Sequence, residues 1–271
     1  MIEEHFYFNS DGYNLYAVYF QATDNIRDEN FIICHPFAEE KKNTQRFFVE
    51  LARSICKIGY SVLLFDLRGC GDSEGIFSDT NISVWIQDIN NSISYLQKTY
   101  NSNIISFIGL RFSAFLGLLL AENKDKFKRI IVIEPVLDLK DYFSQIIRDN
   151  SIRKKLSNLI INKKNNIEKE DSRNLIDFDG YNINKEFYSN LNNYKQIKLS
   201  NEQKIVLIQI TSSIKNEKIY KHFIRDSKNT VYFTKIKFLP FWYKIGPLDF
   251  NHIIKQITNL CETAFTYETN N

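Results

Sequence analysis

Short apolar runs alternate with amphipathic stretches along most of this 271-residue chain, and this alternation limits the folds open to it. The apolar runs are short enough to be buried strands, and the stretches between them have the 3.6-residue period of helices. The predicted strands are residues 31–34, 60–65, 104–108, 129–133, 204–210 and 230–235. The predicted helices are residues 44–58, 82–95, 217–225 and 250–264, with another that follows Gly109 and runs to about residue 121. Buried strands separated by helices indicate an α/β fold, with a mostly parallel central sheet flanked by helices on both faces.

The first residues follow a different pattern. Two aromatic and β-branched runs, His5–Phe8 and Tyr13–Ala22, flank the turn sequence Asn9-Ser10-Asp11-Gly12. An Asp-Gly turn between such runs predicts a hairpin over residues 5–22. This hairpin would add antiparallel strands to the edge of the sheet.

About seventy residues separate the strand ending at Ile133 from the strand starting near Lys204, and they contain helical fragments but no convincing buried strand. Compact domains rarely hold so long a loop without secondary structure. We therefore predict a helical cap inserted at residues 137–200, with residues 1–136 and 201–271 forming the core. A solvated surface insertion is the alternative.

Charge and cysteine content limit the partners of the protein. The 35 Lys and Arg against 32 Asp and Glu leave a net charge of +3, which is too balanced to favour nucleic acid or a membrane surface as a partner. The chain starts with acidic residues rather than a basic signal sequence, and no apolar run approaches the roughly 18 residues of a membrane span. The cysteines, at positions 34, 56, 70 and 261, lack metal-ligand spacing. We expect a cytoplasmic protein with free thiols and without metal or cofactor; a protein partner or a second copy of the chain stays open.

Three motifs stand at the carboxyl ends of predicted strands. They are CHPFAEE at residues 34–40, FDLRGCGDSEG at residues 65–75 and FIGLRFSAFLG at residues 107–117. Their order and spacing resemble the α/β-hydrolase superfamily, in particular its serine aminopeptidase (S33) branch. The resemblance implies an α/β-hydrolase fold, in which the first motif is the oxyanion loop and the third is the turn that carries the nucleophile.

A narrower resemblance depends on shorter motifs. Residues 36–40, 69–73, 109–111, 179–183 and 240–242 are similar to hydrolase-like proteins associated with the exosortase A system. That likeness implies an accessory role in a biosynthetic pathway, but it does not identify the pathway.

The third motif departs from the superfamily pattern Gly-x-Ser-x-Gly, because Arg111 stands where the serine belongs. A guanidinium is protonated at physiological pH and has no lone pair to attack a carbonyl. It cannot form an acyl-enzyme. Ser113, at the last position of the motif, is either a small residue that permits close packing or a displaced nucleophile.

The other members of a Ser-His-Asp triad are also missing from their expected positions. Ser212 and Ser213 stand in the loop where the acid belongs, and the Pro-Phe-Trp sequence ending at Trp242 stands where the histidine belongs. His222 and His252 are predicted to lie on helices. The sequence therefore predicts that the triad mechanism is absent.

The predicted sheet brings another set of polar residues to one edge. Arg111 and Glu134 follow neighbouring strands, so we expect a buried ion pair between them, with Glu39 and Glu40 reaching toward it. The functional hypothesis is a pocket in which Arg111 clamps the carboxylate or phosphate of a small anionic or acyl ligand. The remaining lining residues would be Phe37, Phe112 and Trp242. The alternative is an internal ionic plug formed by Arg111 and its acidic neighbours, with Trp242 filling vacated space.

A second hypothesis keeps catalysis. The chain would be an ester, thioester or amide hydrolase, or an acyltransferase, that activates water with Glu39, Glu134 or His35, or attacks with Cys70. Cys70 fits better as a small buried residue. A third hypothesis is a protein-interaction module that uses the surface of the cap.

Overall fold

The structure is a computed structural model of the whole chain. It describes residues 1–122, 126–160, 175–178, 180–194, 197, 203–210, 217–226, 231–244 and 246–264.

An eight-stranded sheet and a separate hairpin contain the strands of the described residues. The strands are β1 (Ile2–Ser10), β2 (Tyr13–Gln21), β3 (Glu29–Cys34), β4 (Ser61–Phe65), β5 (Ile104–Leu110), β6 (Ile130–Ile133), β7 (Leu175–Phe178), β8 (Tyr181–Asn184), β9 (Ile205–Ile210) and β10 (Val231–Ile236). The large sheet has the order β1-β2-β4-β3-β5-β6-β9-β10. The β1–β2 hairpin pairs antiparallel with β4, and the remaining strands of this sheet are parallel. The predicted α/β architecture and its antiparallel edge are confirmed.

Helices cover both faces of this sheet. They are α1 (Ala38–Lys57), α2 (Ile82–Thr99), α3 (Phe112–Leu120), α4 (Leu139–Ile160), α5 (Lys185–Asn190), α6 (Glu217–Asp226) and α7 (Asn251–Thr263). Buried side chains of α1 and α7 form one hydrophobic core with one face, while α2, α3 and the start of α4 form a second core with the other. Within the described ranges, no helix has the length and apolar character needed to cross a membrane.

Helix α1 begins six positions before the predicted start at residue 44. The prediction followed the apolar period, which begins at Phe47. The first turn instead carries Glu39 and Glu40, whose negative charges interact favourably with the amide groups at a helix N-terminus.

The parallel register gathers the predicted site residues. Cys34 at the end of β3 lies beside Gly109 of β5, and Leu110 of β5 lies beside Ile133 at the end of β6. The residues that follow these strands therefore emerge at the same edge of the sheet. This edge is where open α/β sheets bind ligands.

The segment between β6 and β9 contains a short hairpin in addition to helices. After α4, strands β7 and β8 pair antiparallel with each other, and α5 follows them. The hairpin is hard to predict from sequence because, among the described residues, its short strands pair only with each other and carry polar residues such as Asn182 and Asn184. The boundaries 137–200 remain a prediction. Several residues of this segment, including 161–174, lie outside the described part of the chain.

At the opposite edge of the sheet, a buried ion pair joins the start of β3 to the residue before β6. Arg129 donates from Nε and Nη2 to the two carboxylate oxygens of Glu29, each at 2.7 Å. Ser106 donates to the same carboxylate at 2.5 Å, and Lys128 lies 3.0 Å from it. Burial alone would raise the pKa of Glu29, but the bonds and charge of Arg129, with Ser106 and Lys128, hold it below its ordinary value. The ionised carboxylate is therefore the form that stabilises the fold.

We expect Glu29→Gln to lower the free energy of unfolding at pH 7 by about 3 kcal/mol, because the change leaves Arg129 buried without its counter-charge. Since the pKa of Glu29 is lowered in the folded state, the difference between wild type and variant should shrink as the pH falls below about 4.5. Urea unfolding at a series of pH values measures both effects. The control is Glu3→Gln, which breaks an exposed pair with Arg53 and should cost less than about 1 kcal/mol. Equal losses for the two variants would contradict this role of Glu29.

Candidate functional site

The turn between β5 and α3 has an unusual backbone. Arg111 adopts φ 57° and ψ −116°, a conformation that residues with a side chain rarely take. Its N–H donates to the carbonyl of Ile133 at 2.9 Å, which fixes the turn against β6. A Cβ at Gly109 would come within 2.7 Å of the Ala114 nitrogen, so glycine is required where the helix crosses the strand. This is the sharp strand–turn–helix geometry that raises the central residue above a hydrolase sheet.

The Arg111 side chain turns inward and finds protein acceptors for each of its nitrogens. Nε donates to Glu40 Oε1 at 3.4 Å, Nη1 donates to the Glu134 carbonyl at 3.5 Å, and Nη2 donates to the Tyr243 hydroxyl at 3.1 Å. The residue is 9% exposed. Arg111 is therefore committed to internal contacts rather than presented to solvent.

Aromatic rings complete the surroundings of this guanidinium. Its carbon lies 5.4 Å from the ring centre of Tyr142, 5.3 Å from that of Trp242 and 5.9 Å from that of Tyr243. Cations are attracted to the faces of aromatic rings at such distances, most strongly where water is excluded. The charge of Arg111 is thus stabilised by rings as well as by Glu40.

The electrostatics of the pair follow from its burial. Burial opposes the charged form of Arg111, but the Glu40 carboxylate keeps the pKa of Arg111 above its ordinary value. Burial raises the pKa of Glu40, and Arg111 works in the opposite direction. Burying the charge of Arg111 or of Glu40 alone would be energetically unfavourable, so each group stabilises the charge of the other.

The predicted ion pair between Arg111 and Glu134 was wrong. The Glu134 carboxylate accepts hydrogen bonds from the Ile210 N–H at 2.6 Å and from the Tyr220 hydroxyl at 2.8 Å. The backbone of Glu134 has φ 45°, and its side chain turns toward the end of β9. Glu134 therefore secures β9 and offers Arg111 only its carbonyl.

A cavity of about 650 Å³ lies above this cluster. Its walls come from three separate parts of the chain: the start of α1, one face of α4 and the 3₁₀ turn at residues 241–243. The lining residues include Phe37, Glu39, Glu40, Asn43, Tyr142, Gln145, Ile146, Asp149, Arg153, Trp242 and Tyr243. Arg111 contacts several of these residues without itself lining the cavity. This geometry fits the internal plug better than the clamp on an anion.

Of four predicted ligand contacts, three line the cavity and one lies in the core. Phe37 lines the cavity, and Glu39 lines it while forming an ion pair with Lys42. Phe112 is 1% exposed and lies beneath the cavity, with its ring 5.1 Å from that of Phe37. Trp242 is buried, lines the cavity and packs over Arg111, so it both fills space and forms part of the wall.

His35 lies in a different cluster. Its Nε2 is 3.8 Å from Asp66 Oδ1, and its ring packs edge-on against Phe48. Burial lowers the pKa of His35 to about 3, and the charge of Lys41 adds to that effect. The imidazole is therefore neutral, and it does not line the cavity above Arg111.

Ser113 and Cys70 have structural surroundings. The Ser113 hydroxyl donates to the Cys34 carbonyl at 2.8 Å and accepts from the Leu110 N–H at 3.0 Å, and the residue is fully buried. Burial, together with the charge of Asp66, raises the pKa of Cys70 to about 12. A buried hydroxyl and a neutral thiol are poor nucleophiles. The four cysteines are free, as predicted.

The remaining predicted positions lie away from this cavity or outside the described residues. His222 and His252 are exposed on helices α6 and α7. Ser212 and Ser213 fall in residues 211–216, outside the described part of the chain. Among the described residues, no group of three His, Cys, Asp or Glu side chains is arranged to hold a metal ion.

Two cavity residues that contact Arg111 were missed from sequence. Tyr142 comes from the first turn of α4, in the inserted segment, where no motif marks it. Tyr243 directly follows the Pro-Phe-Trp motif, and that adjacency was the available signal.

Comparisons with known proteins agree with the geometry. Residues 27–217 match the family model described as serine aminopeptidase, S33. No curated protein matches the chain.

Among solved structures, Est1E from Butyrivibrio proteoclasticus with bound ferulic acid is 17% identical, with a TM-score of 0.65 and coverage of 93% of this chain and 94% of that one. The α/β hydrolase GrgF from Penicillium sp. sh18 is 16% identical, with a TM-score of 0.63 and 97% coverage of both chains. XC6422 from Xanthomonas campestris, an α/β serine hydrolase without a lid, is 12% identical, with a TM-score of 0.60 and coverage of 96% and 92%. These likenesses show the α/β-hydrolase fold.

We expect Arg111→Ala to lower the free energy of unfolding by about 3 kcal/mol, because Glu40 would be left buried without its cation. Methylguanidinium at about 10 mM should bind in the space that the guanidinium leaves between the rings of Tyr142, Trp242 and Tyr243. It should therefore raise the melting temperature of this variant and leave that of wild type unchanged. Differential scanning fluorimetry measures both. Arg46→Ala, which breaks an exposed pair with Glu50, is the control and should change stability by less than about 1 kcal/mol. An Arg111 variant as stable as wild type would contradict the plug.

Proposed function

Because the chain belongs to the serine aminopeptidase, S33, family and carries Arg111 at the nucleophile position, we propose that it is a pseudo-hydrolase. In this proposal the hydrolase fold is retained to bind a small molecule, and no acyl-enzyme forms. One observation carries the proposal: a buried, permanently charged guanidinium stands at the apex of the turn and is held there by Glu40 and aromatic rings. A guanidinium has no lone pair with which to attack a carbonyl.

The surroundings of the other candidates support this reading. The Ser113 hydroxyl is fully buried between backbone groups, and Cys70 is a neutral thiol. The carboxylate of Glu134 is engaged by Ile210 and Tyr220. None of these groups combines access to the cavity with an activating neighbour, which is what an alternative nucleophile or base requires.

The cavity supports the binding role. Its volume of about 650 Å³ lies within the range of small-molecule sites, and its walls mix aromatic rings with a few polar groups. In this proposal Arg111 is an internal plug beneath the cavity, and the ligand contacts the residues that line the cavity wall. We propose an accessory role in a biosynthetic pathway as the cellular function, in line with the resemblance of the short motifs to exosortase-associated proteins.

The test of the proposed function is chemical. We expect no adduct by intact-mass spectrometry after treatment of the native protein with a fluorophosphonate, and no hydrolysis of p-nitrophenyl acetate or a short acyl thioester above the rate of heat-denatured protein. Iodoacetamide should leave the buried cysteines unmodified until the protein is unfolded, because their thiols are not ionised.

Ser113→Ala and Cys70→Ala are the matched variants for this test. A fluorophosphonate adduct lost in Ser113→Ala, or turnover lost in Cys70→Ala, would identify a displaced nucleophile and overturn the proposal. An active S33 hydrolase treated in parallel shows that the probes and substrates work.

A further inference from the structure

Strand β1 forms one edge of the eight-stranded sheet, and among the described residues no strand pairs with its outer side. It is nine residues long and pairs with β2 without a bulge, from Ile2 opposite Gln21 to Ser10 opposite Tyr13. Proteins usually protect such an edge with lysine or proline, with a bulge, or by keeping the strand short. β1 has none of these features. An unprotected edge of this length indicates a surface that another strand can extend.

The backbone groups on the outer side of β1 belong to every second residue. In β2, the carbonyls of Asn14 and Tyr16 accept hydrogen bonds at 3.0 Å from residues 74 and 66, which lie on the side away from β1. Alternate residues of an antiparallel strand bond to opposite neighbours, so the odd-numbered residues of β2 bond to β1. The residues opposite them in β1 are even-numbered. The N–H and C=O groups of residues 3, 5, 7 and 9 therefore point outward.

The side chains beside these groups are exposed and partly aromatic. Ile2 is 56% exposed and Tyr7 is 57% exposed. His5 and Tyr7 lie on the same face of the strand, and both contact Tyr16 of β2. His5 Nδ1 is 2.7 Å from the Tyr16 hydroxyl oxygen, and the ring centres of Tyr7 and Tyr16 are 5.6 Å apart. These contacts order the exposed side chains in advance, which lowers the entropic cost of binding a partner.

The opposite edge of the sheet differs. Its strand, β10, is six residues long and carries Lys235, which forms an ion pair at 2.9 Å with Glu217 of α6. A lysine on an edge strand opposes the addition of another strand, because its charge would lose contact with water. Of the two edge strands of this sheet, β1 is therefore the one suited to pairing.

The sequence of β1 is complementary to a second copy of itself. Antiparallel pairing about a twofold axis at Phe6 aligns residues 2–10 of one copy with residues 10–2 of the other, which is the full length of the strand. This register places His5 opposite Tyr7 and Phe6 opposite Phe6, and aromatic pairs across strands stabilise sheets. It also brings the outward-facing residues of the two copies together, so they can form about eight hydrogen bonds between the strands.

Charge favours this register over shifted ones. Glu3 and Glu4 lie near one end of β1, so the antiparallel arrangement places them opposite Asn9 and Phe8 of the second copy. At about 3.4 Å per residue, the acidic residues of the two copies are then roughly 14–20 Å apart. An axis at Glu4 instead of Phe6 would set two carboxylates directly opposite each other, which is unfavourable.

We propose that the chain forms a twofold-symmetric dimer in which the β1 strands of two copies pair antiparallel about Phe6 and join the two sheets into one. A twofold interface uses the same surface on both copies, which is what a self-complementary strand provides. No residue of β1 lines the cavity above Arg111, so this proposal does not depend on the proposed function.

Sedimentation velocity of the full chain tests the association. Wild type at about 100 μM should sediment with twice the mass of the monomer. Tyr7→Lys places a charge at the β1 edge and should weaken dimerisation at least tenfold. Tyr232→Lys is the matched control, because it places the same charge on an exposed tyrosine of β10, and it should dimerise as wild type does. A monomeric wild type, or equal weakening by the two substitutions, would overturn the proposal.

Hydrogen exchange measured by NMR on wild type identifies the interface without any substitution. The amides of His5 and Tyr7 should exchange at least tenfold more slowly at concentrations that favour the dimer than after dilution to the monomer. The amides of Phe6 and Phe8 bond to β2 in both states and serve as the internal reference. A dimer in which the His5 and Tyr7 amides gain no protection would use another surface, and the proposal would then be wrong.

Engineered cysteines test the register. A mixture of Glu3→Cys and Asn9→Cys proteins should form an intermolecular disulfide with copper phenanthroline, because Cα atoms of a hydrogen-bonded pair lie about 5.5 Å apart. Neither variant should cross-link alone, since its cysteines in the two copies would lie about 20 Å apart. A disulfide formed by either variant alone, or none in the mixture, would contradict pairing about Phe6.

Discussion

The buried ion pair between Arg111 and Glu40 is the interaction on which the arrangement of the site depends. A guanidinium removed from water at the edge of a sheet requires a counter-charge and acceptors, and each of these comes from a different part of the chain. Glu40 belongs to the first turn of α1, the Glu134 carbonyl follows β6, and the Tyr243 hydroxyl lies in the turn after β10. One charge on a strained turn thus joins three parts of the chain that lie far apart in sequence.

The sheet and its neighbours could be predicted from sequence because strand length and apolar content are local properties. Once the strands are parallel, the residues after β3, β5 and β6 must meet at one edge, and they do. The register of the strands does not determine which of these side chains form pairs. Glu134 was the predicted partner of Arg111 because it ends the neighbouring strand, but its left-handed backbone directs its carboxylate toward β9. That direction depends on tertiary geometry, so residue spacing does not predict it.

Other features were missed for related reasons. His35 stands at the position where the superfamily has a functional loop, yet it lies beside Asp66 and Lys41 rather than Arg111. Burial lowers the pKa of this imidazole and keeps it neutral, and burial is known only from the packed structure. Tyr142 contributes a ring to the site from a segment whose sequence has neither a motif nor a strong apolar period, so only its contacts identify it.

The walls of the cavity have a further consequence. Phe37 and Trp242 line the cavity and also belong to the two hydrophobic cores, whereas Gln145 and Asp149 project from a single face of α4. In the proposed binding role, ligand specificity and foldability therefore depend on different stretches of the polypeptide. Under that proposal, substitutions on this helical face would change which molecule fits, while the framework that supports it stays the same.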